Sequence, residues 1–381
     1  MRFFFMDSKK GQLLALSLCW CFVQSVLLYL NGVNTQGESL RFIREANFLH
    51  EQGHFSSPVY FLYLSEIVLM YISQYVFSGY ALVIIIQLLF NFIGLRMMYN
   101  YLSEICRPYI ALLSCFLLII CIPYQLYNTF LYTESIFFSL TIIYTIFLLR
   151  KTSFKIVDII KLCLFLVLLA LTRPTGLFFI AATCVYLFWV TKGKWHSWIR
   201  YCMLLGVPVL GLLLINQVMK SGGGMDSIKP FSEGHVICDI PTRTISTDSF
   251  AHDAPLISLI QFIIRHPVEF LQLSLQKSIT FFGLYRNYYS LPHNTILVLF
   301  FFPLYIGILI RFFWKKRQTA AKDYFIYSLI LIFWMAVVFS CDEWHNRFFL
   351  TLTPFLIITN AIGFFSQKNH TDFKSGSFIE R

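Results

Sequence analysis

Apolar residues in this chain come in long runs, and polar residues collect between the runs. Stretches at 12–30, 79–99, 109–122, 130–149, 156–171, 176–190, 201–219, 295–313, 324–340 and 350–365 each approach the ~20 residues that a helix needs to cross a bilayer. They predict about ten transmembrane helices. The segment between the first two runs behaves differently. There Leu40, Ile43, Ala46, Phe48 and Leu49 roughly follow helical spacing, and Arg41, Arg44, Glu45 and Glu51 fill the other positions. That pattern predicts an amphipathic helix lying in the membrane interface. An eleventh apolar run, 58–77, carries Glu66 and several Ser and Tyr residues.

Charge decides how the eleventh run is read. Lys9 and Lys10 favour a cytoplasmic N-terminus, and the groups Arg96/Arg107, Arg150/Lys151/Lys155/Lys161, Lys192/Lys194/Arg200 and Arg311/Lys315/Lys316/Arg317 also favour the cytoplasm. Ten crossings satisfy all of these groups. If 58–77 crossed as well, every later cluster would be inverted, so this run is expected to be re-entrant or interfacial on the outer side. Both termini are then cytoplasmic, and the polar loops 31–78, 123–129, 172–175, 220–294 and 341–347 all face outward. The whole chain, 1–381, reads as a single transmembrane domain, with 31–78 as an outer catalytic loop and 220–294 as an outer loop or lid opening on a Ser221-Gly-Gly-Gly224 hinge.

Composition agrees. Of 381 residues, 57% are hydrophobic and only 13% charged, too little charge to shield a soluble surface. The net charge of +11 follows the ends of apolar runs and so reflects orientation in the membrane; no nucleic-acid partner is implied. Eight of the ten cysteines fall in or beside apolar runs, which leaves Cys238 and Cys341 exposed and able to bridge. P-loop, GxGxxG, GxSxG and HExxH motifs are absent.

Candidate chemistry sits at the outer ends of the runs. Glu38 lies in a Gly-Glu-Ser turn ahead of the interfacial helix, where free N–H groups keep a carboxylate ionised; the plainer role there is only to compensate that helix's dipole. Glu134, in Tyr132-Thr-Glu-Ser135, opens a span and is costly unless paired or facing a wet cavity. Arg173 is held between two spans by Pro174. The loop Cys341-Asp-Glu-Trp-His-Asn-Arg347 adds Glu343, His345 and Arg347, the last placed to meet an anion. Lys277, Arg286 and His293 are interleaved with aromatics, which suits a phosphate beside a sugar or prenyl chain, or an ordinary aromatic belt.

The order of these features resembles the GT-C superfamily of integral membrane glycosyltransferases, which includes protein O-mannosyltransferases, the lipid A aminoarabinose transferase and the second GPI mannosyltransferase. The resemblance is carried by Gly37-Glu38-Ser39 with Arg44-Glu45-Ala46, Tyr132-Thr-Glu-Ser135, Thr172-Arg-Pro-Thr-Gly-Leu177, the His-Pro-x-Glu-Phe-Leu run at 266–271 and His345-Asn-Arg-Phe-Phe-Leu350. The family's first-loop catalytic residue is usually Asp, and here it is Glu38. The resemblance implies sugar transfer from a polyprenyl-phosphate donor to a glycan, lipid or protein acceptor on the outer side. It implies Glu38 and Glu134 as catalytic groups, with a divalent metal (Mg or Mn) as an optional aid on those two carboxylates. Arg173, Lys277, Arg286 and Arg347 would bind the donor phosphate, and Arg41, Glu45, His293, Glu343 and His345 would face the acceptor or support the site. A transporter or flippase, or a polymerase of lipid-linked saccharides, is the alternative. Membrane lipids surround the chain in each case, and the compact size favours a bacterial inner membrane.

Overall fold

The computed structural model describes residues 8–77, 79–151, 154–192, 196–207, 209, 211, 213, 229–242, 255–314 and 321–365. The 221–224 hinge, the basic residues 315–317 and most of the second half of the 201–219 run lie outside them. Among the described residues the chain is all helical, with two isolated backbone bridges and no strands. Six helices are long and apolar enough to cross a membrane: Lys9–Asn31, Pro58–Phe77, Ala81–Ile105, Thr133–Arg150, Leu291–Phe313 and Trp344–Phe365. A seventh crossing is reached if Pro108–Ile120 and Ile122–Thr129, bent by 69°, form one span. The protein is therefore a polytopic membrane protein that shows, among the described residues, fewer full-length spans than the ten expected. The shortfall comes from short helices such as Gly176–Val190, with 15 residues, and Ile156–Thr172, with 17. Pro58–Phe77 is long enough to cross, so the expectation that it does not cross rests on charge parity alone.

Thr133–Arg150 is the centre of the molecule. Apolar side chains on all its faces leave no solvent stripe, and only Phe147 and Arg150 escape full burial. Most of its hydroxyls are paired: Ser139 donates to the Ser135 carbonyl at 2.8 Å, Thr141 to that of Phe138 at 2.7 Å and Ser135 to Asn128 at 2.5 Å, while the Thr145 hydroxyl is buried without a partner among the described residues. Ala81–Ile105 packs along it, where Gly94 brings a backbone near the Ser139 carbonyl. By contrast, Lys9–Asn31 and Leu291–Trp314 expose Leu18, Phe22, Leu299 and Phe302 outward, as lipid-facing helices should.

A second, smaller core fixes the first loop. Phe42 and Ala46 of the amphipathic helix Ser39–Gln52 pack on Val59, Ile67, Met70, Val83 and Leu131. Backbone bonds then clamp the loop to the segment before the central helix: Asn34 N–H donates to Thr129 at 2.9 Å, and Leu131 N–H donates to Asn34 at 3.3 Å. The result sets Glu38 over the start of Thr133–Arg150. On the far side, residues 229–242 are tied to the 341–347 loop by the Cys238–Cys341 disulfide and by two backbone bonds between 236–238 and Asp342.

Candidate functional site

Five charged side chains converge at the N-terminal end of the central helix. Glu134, on its first turn, is fully buried and meets both arginines: Arg173 Nη1 at 2.5 Å and Arg347 Nη1 at 2.8 Å. Arg347 Nη1 also contacts Glu38 Oε2, while its Nη2 forms an ion pair with Glu343 at 3.0 Å; Arg173 Nη2 reaches Glu343 at 3.5 Å. Three carboxylates thus share two guanidiniums. Each arginine also lies beside a ring, Arg347 over Tyr132 and Arg173 over Phe348.

Local chain geometry explains each placement. Arg173 is presented by an extended residue where Ile156–Thr172 ends, and the turn after it passes so close to the Leu169 carbonyl that a Cβ at Gly176 would lie 2.2 Å from that oxygen. Glu343 and Arg347 are four residues apart without lying on one helix. His345 and Asn346 both adopt left-handed backbone, φ +57° and +58°, which turns the two charged side chains to the same side. Non-glycine residues rarely occupy this region, and such strain is retained where a site needs it. Glu38 sits behind Gly37 (φ +64°), where a Cβ would stand 2.8 Å from the Tyr132 hydroxyl; that hydroxyl accepts the Glu38 N–H at 3.3 Å.

The Glu38 carboxylate makes no cap to the helix behind it. It points to Arg347 through one oxygen, and Oε1 takes no hydrogen bond among the described residues. Burial raises its pKa above the usual carboxylate range, with Arg347 pulling down against it and Glu134 and Glu343 pushing up. This is a carboxylate brought closer to neutrality without losing its ion pair.

Other residues singled out by the sequence lie elsewhere. Lys277 is buried, bonded to the Ser340 carbonyl and stacked on Phe231. Arg286 forms a fully buried pair with Asp342, whose carboxyl burial lifts to about 6 while Arg286 pulls it down. Glu45 closes the turn after its own helix, accepting from the Ser56 N–H at 2.7 Å and hydroxyl at 2.6 Å. His293 stacks on Tyr289 at 4.0 Å, and His345 meets the Tyr289 hydroxyl at 3.3 Å, forming an aromatic patch beside Glu343. Arg41 stands on the first turn of Ser39–Gln52, flanked by Tyr60 and Tyr63. Sequence reasoning passed over Tyr132, Gln87 and the pairing of Asp342. It noted Glu66 without a role; this carboxylate is fully buried, with Gln87 at 3.5 Å. A lone acid in an apolar run was the available signal.

The donor set does not suit a divalent ion. Glu38 and Glu134 both enclose the Arg347 guanidinium, so an arginine already provides the cation between them. Among the described residues no group of three or more His, Cys, Asp or Glu is spaced to hold a metal. The fold and this buried charge cluster define an integral membrane protein with a polar centre at one end of its helices. No protein-family model matches the chain, and no curated protein matches it.

Proposed function

We propose that the protein is a GT-C-like membrane glycosyltransferase that moves a sugar from a polyprenyl-phosphate donor to an acceptor hydroxyl on the outer side of the membrane. The observation that carries the reading is the Glu38 carboxylate: half-buried, raised in pKa, held at one oxygen by Arg347 and open at the other. A general base works best when its pKa lies near the operating pH, and burial moves Glu38 in that direction. Oε1 would accept the proton of the acceptor hydroxyl as the hydroxyl oxygen attacks the anomeric carbon. The bond from that carbon to the phosphate oxygen breaks, the polyprenyl phosphate leaves with the electron pair, and the configuration inverts. Glu134 orients Arg347 and Arg173 and, through them, Glu38 and Glu343. In this reading the outer loops face the periplasmic side of a bacterial inner membrane, both termini are cytoplasmic, and about ten helical segments, some shorter than a full span, make up the transmembrane unit.

Incubation of the purified protein with labelled polyprenyl-phosphate sugars tests the reading. Release of free polyprenyl phosphate with acceptor present supports it. A protein that binds or translocates the donor and leaves the sugar–phosphate bond intact is a transporter instead.

A further inference from the structure

The charge balance of the site raises a question about its substrate. Arg173 and Arg347 are already shared among Glu38, Glu134 and Glu343, so the centre holds one more carboxylate than guanidinium. Such a centre repels an incoming anion unless another cation meets it first. Lys277 and Arg286 are each engaged in other contacts. Arg41 is placed differently. It lies three residues beyond Glu38, half-buried on the first turn of Ser39–Gln52 and near enough to Glu38 to feel its charge. Its guanidinium carbon stands 5.1 Å from the Tyr60 ring and 5.3 Å from the Tyr63 ring. Its one side-chain hydrogen bond among the described residues is a long one, 3.4 Å from Nε to the Tyr60 hydroxyl, and no carboxylate pairs with it there. The two rings flank the guanidinium, and its Nη atoms make no hydrogen bond among the described residues, so its fork is free to bind a phosphate bidentately. Leu40 and Phe61 are both exposed next to these residues and extend an apolar surface away from the charge.

We propose that Arg41, with the Tyr60 hydroxyl, is the subsite that takes the phosphate of an isoprenoid-phosphate lipid, whose chain runs out over Leu40 and Phe61. Arg173 and Arg347 then hold the carboxylates in place, and Arg41 supplies the charge that the leaving phosphate needs. The choice of lipid rests on the glycosyltransferase reading, whereas the anion site rests on the placement of Arg41.

The test titrates undecaprenyl phosphate onto the purified full chain in detergent and follows tryptophan fluorescence, with undecaprenol and inorganic phosphate as parallel probes. Arg41→Gln is expected to weaken undecaprenyl phosphate binding about tenfold or more, since a charge-assisted contact is lost. Arg41→Lys keeps the charge, loses the bidentate fork and should fall between. Arg44→Gln, one turn on and exposed, should bind as the wild type does. Equal binding by Arg41→Gln and wild type overturns the proposal, and so does an equal loss for undecaprenol, which would mean that Arg41 serves the chain and not the phosphate. Inorganic phosphate binding as tightly as the lipid would remove the isoprenoid from the proposal. Should Arg41→Gln fail to fold, the wild type decides: affinity that does not weaken with added salt overturns a charge-based site. A chain that binds through Arg41 and transfers no sugar retires the transferase reading alone. An active enzyme whose Arg41→Gln variant keeps its donor KM retires the Arg41 subsite alone.

Discussion

The two ends of the central helix Thr133–Arg150 both carry ion pairs, and they are built on different plans. At its last turn Arg150 meets Glu104 at 2.7 Å, with Lys151 on Asp158 at 2.6 Å beyond and a further pair, Arg311 on Asp323, at 2.5 Å. Each is one cation for one acid, and the Arg150–Glu104 pair is well exposed. At the first turn, about 24 Å away along the axis, Glu134 belongs to a cluster of three acids and two arginines drawn from four separate segments. Pairs at the first of these ends anchor helices. A buried cluster with an unmatched carboxylate does more than anchoring requires, because that extra charge costs several kcal/mol to keep dry unless a proton or a ligand's charge balances it. Unbalanced stoichiometry, more than the number of charges, separates a working site from a scaffold.

This contrast can be broken by substitution. The largest effect is expected from Arg347→Ala, which leaves Glu38, Glu134 and Glu343 short of a shared cation. A loss on the order of 3–5 kcal/mol is expected for breaking a buried pair. It should appear as a large fall in folded protein by fluorescence-detected size exclusion, with partial recovery in the Arg347→Ala/Glu134→Gln double variant. No recovery would show that charge balance is not what Arg347 provides.

Glu38→Gln comes next. It keeps size and most hydrogen bonding, so folding should hold while turnover falls ~10²-fold or more. Glu38→Asp should be milder, and Glu45→Gln should leave turnover intact because Glu45 serves a turn. Near-normal turnover in Glu38→Gln would remove the residue from the mechanism. The wild-type pH profile sharpens this. With its pKa raised by burial, Glu38 should make activity fall on acidification at a pH above the usual carboxylate range of about 4, and an acid limb at or below that range would contradict it. The stability contribution has the opposite sign. A carboxyl raised in the folded state stabilises at low pH, and that share is lost as the pH rises from the unfolded carboxylate pKa through the folded one.

Arg150→Ala should have the smallest effect, within about 1 kcal/mol, because an exposed pair is screened by water and salt. A thermal-shift assay that found it as damaging as Arg347→Ala would erase the distinction between the two ends.

The helices were legible where an apolar run has clear ends. Gly176–Val190 appears just as its composition predicts, and Ser39–Gln52 forms as a helix, but its buried side is Ser39, Phe42, Glu45 and Ala46, with Leu40 of the expected apolar face exposed and Glu45 of the expected polar face drawn inward. Span number was less legible, since a run of 15 to 17 apolar residues in a sequence does not say whether its helix is long enough to cross. The site's members were also visible, because Glu38, Glu134, Arg173, Glu343 and Arg347 are charges at the ends of apolar runs, where desolvation makes a charge expensive. Their meeting was not visible. Glu38 and Arg347 are 309 residues apart, and contact at that separation depends on how the helices pack. The same limit hid the engagement of Lys277 with Ser340 and of Arg286 with Asp342, which removes both from the Glu134 cluster.

The Cys238–Cys341 disulfide has a consequence for how the protein is made. It joins positions 103 residues apart, and the second cysteine comes just before Asp342, Glu343 and Arg347. The bond cannot close until both segments have left the ribosome and lie on the same side of the membrane. The first loop and Glu134 emerge much earlier, so for most of synthesis the acids wait without Arg347. Assembly of the charged centre is therefore among the last events in biogenesis, and a nascent chain halted before residue 341 carries Glu38, Glu134 and Arg173 but neither Glu343 nor the arginine that joins all three acids.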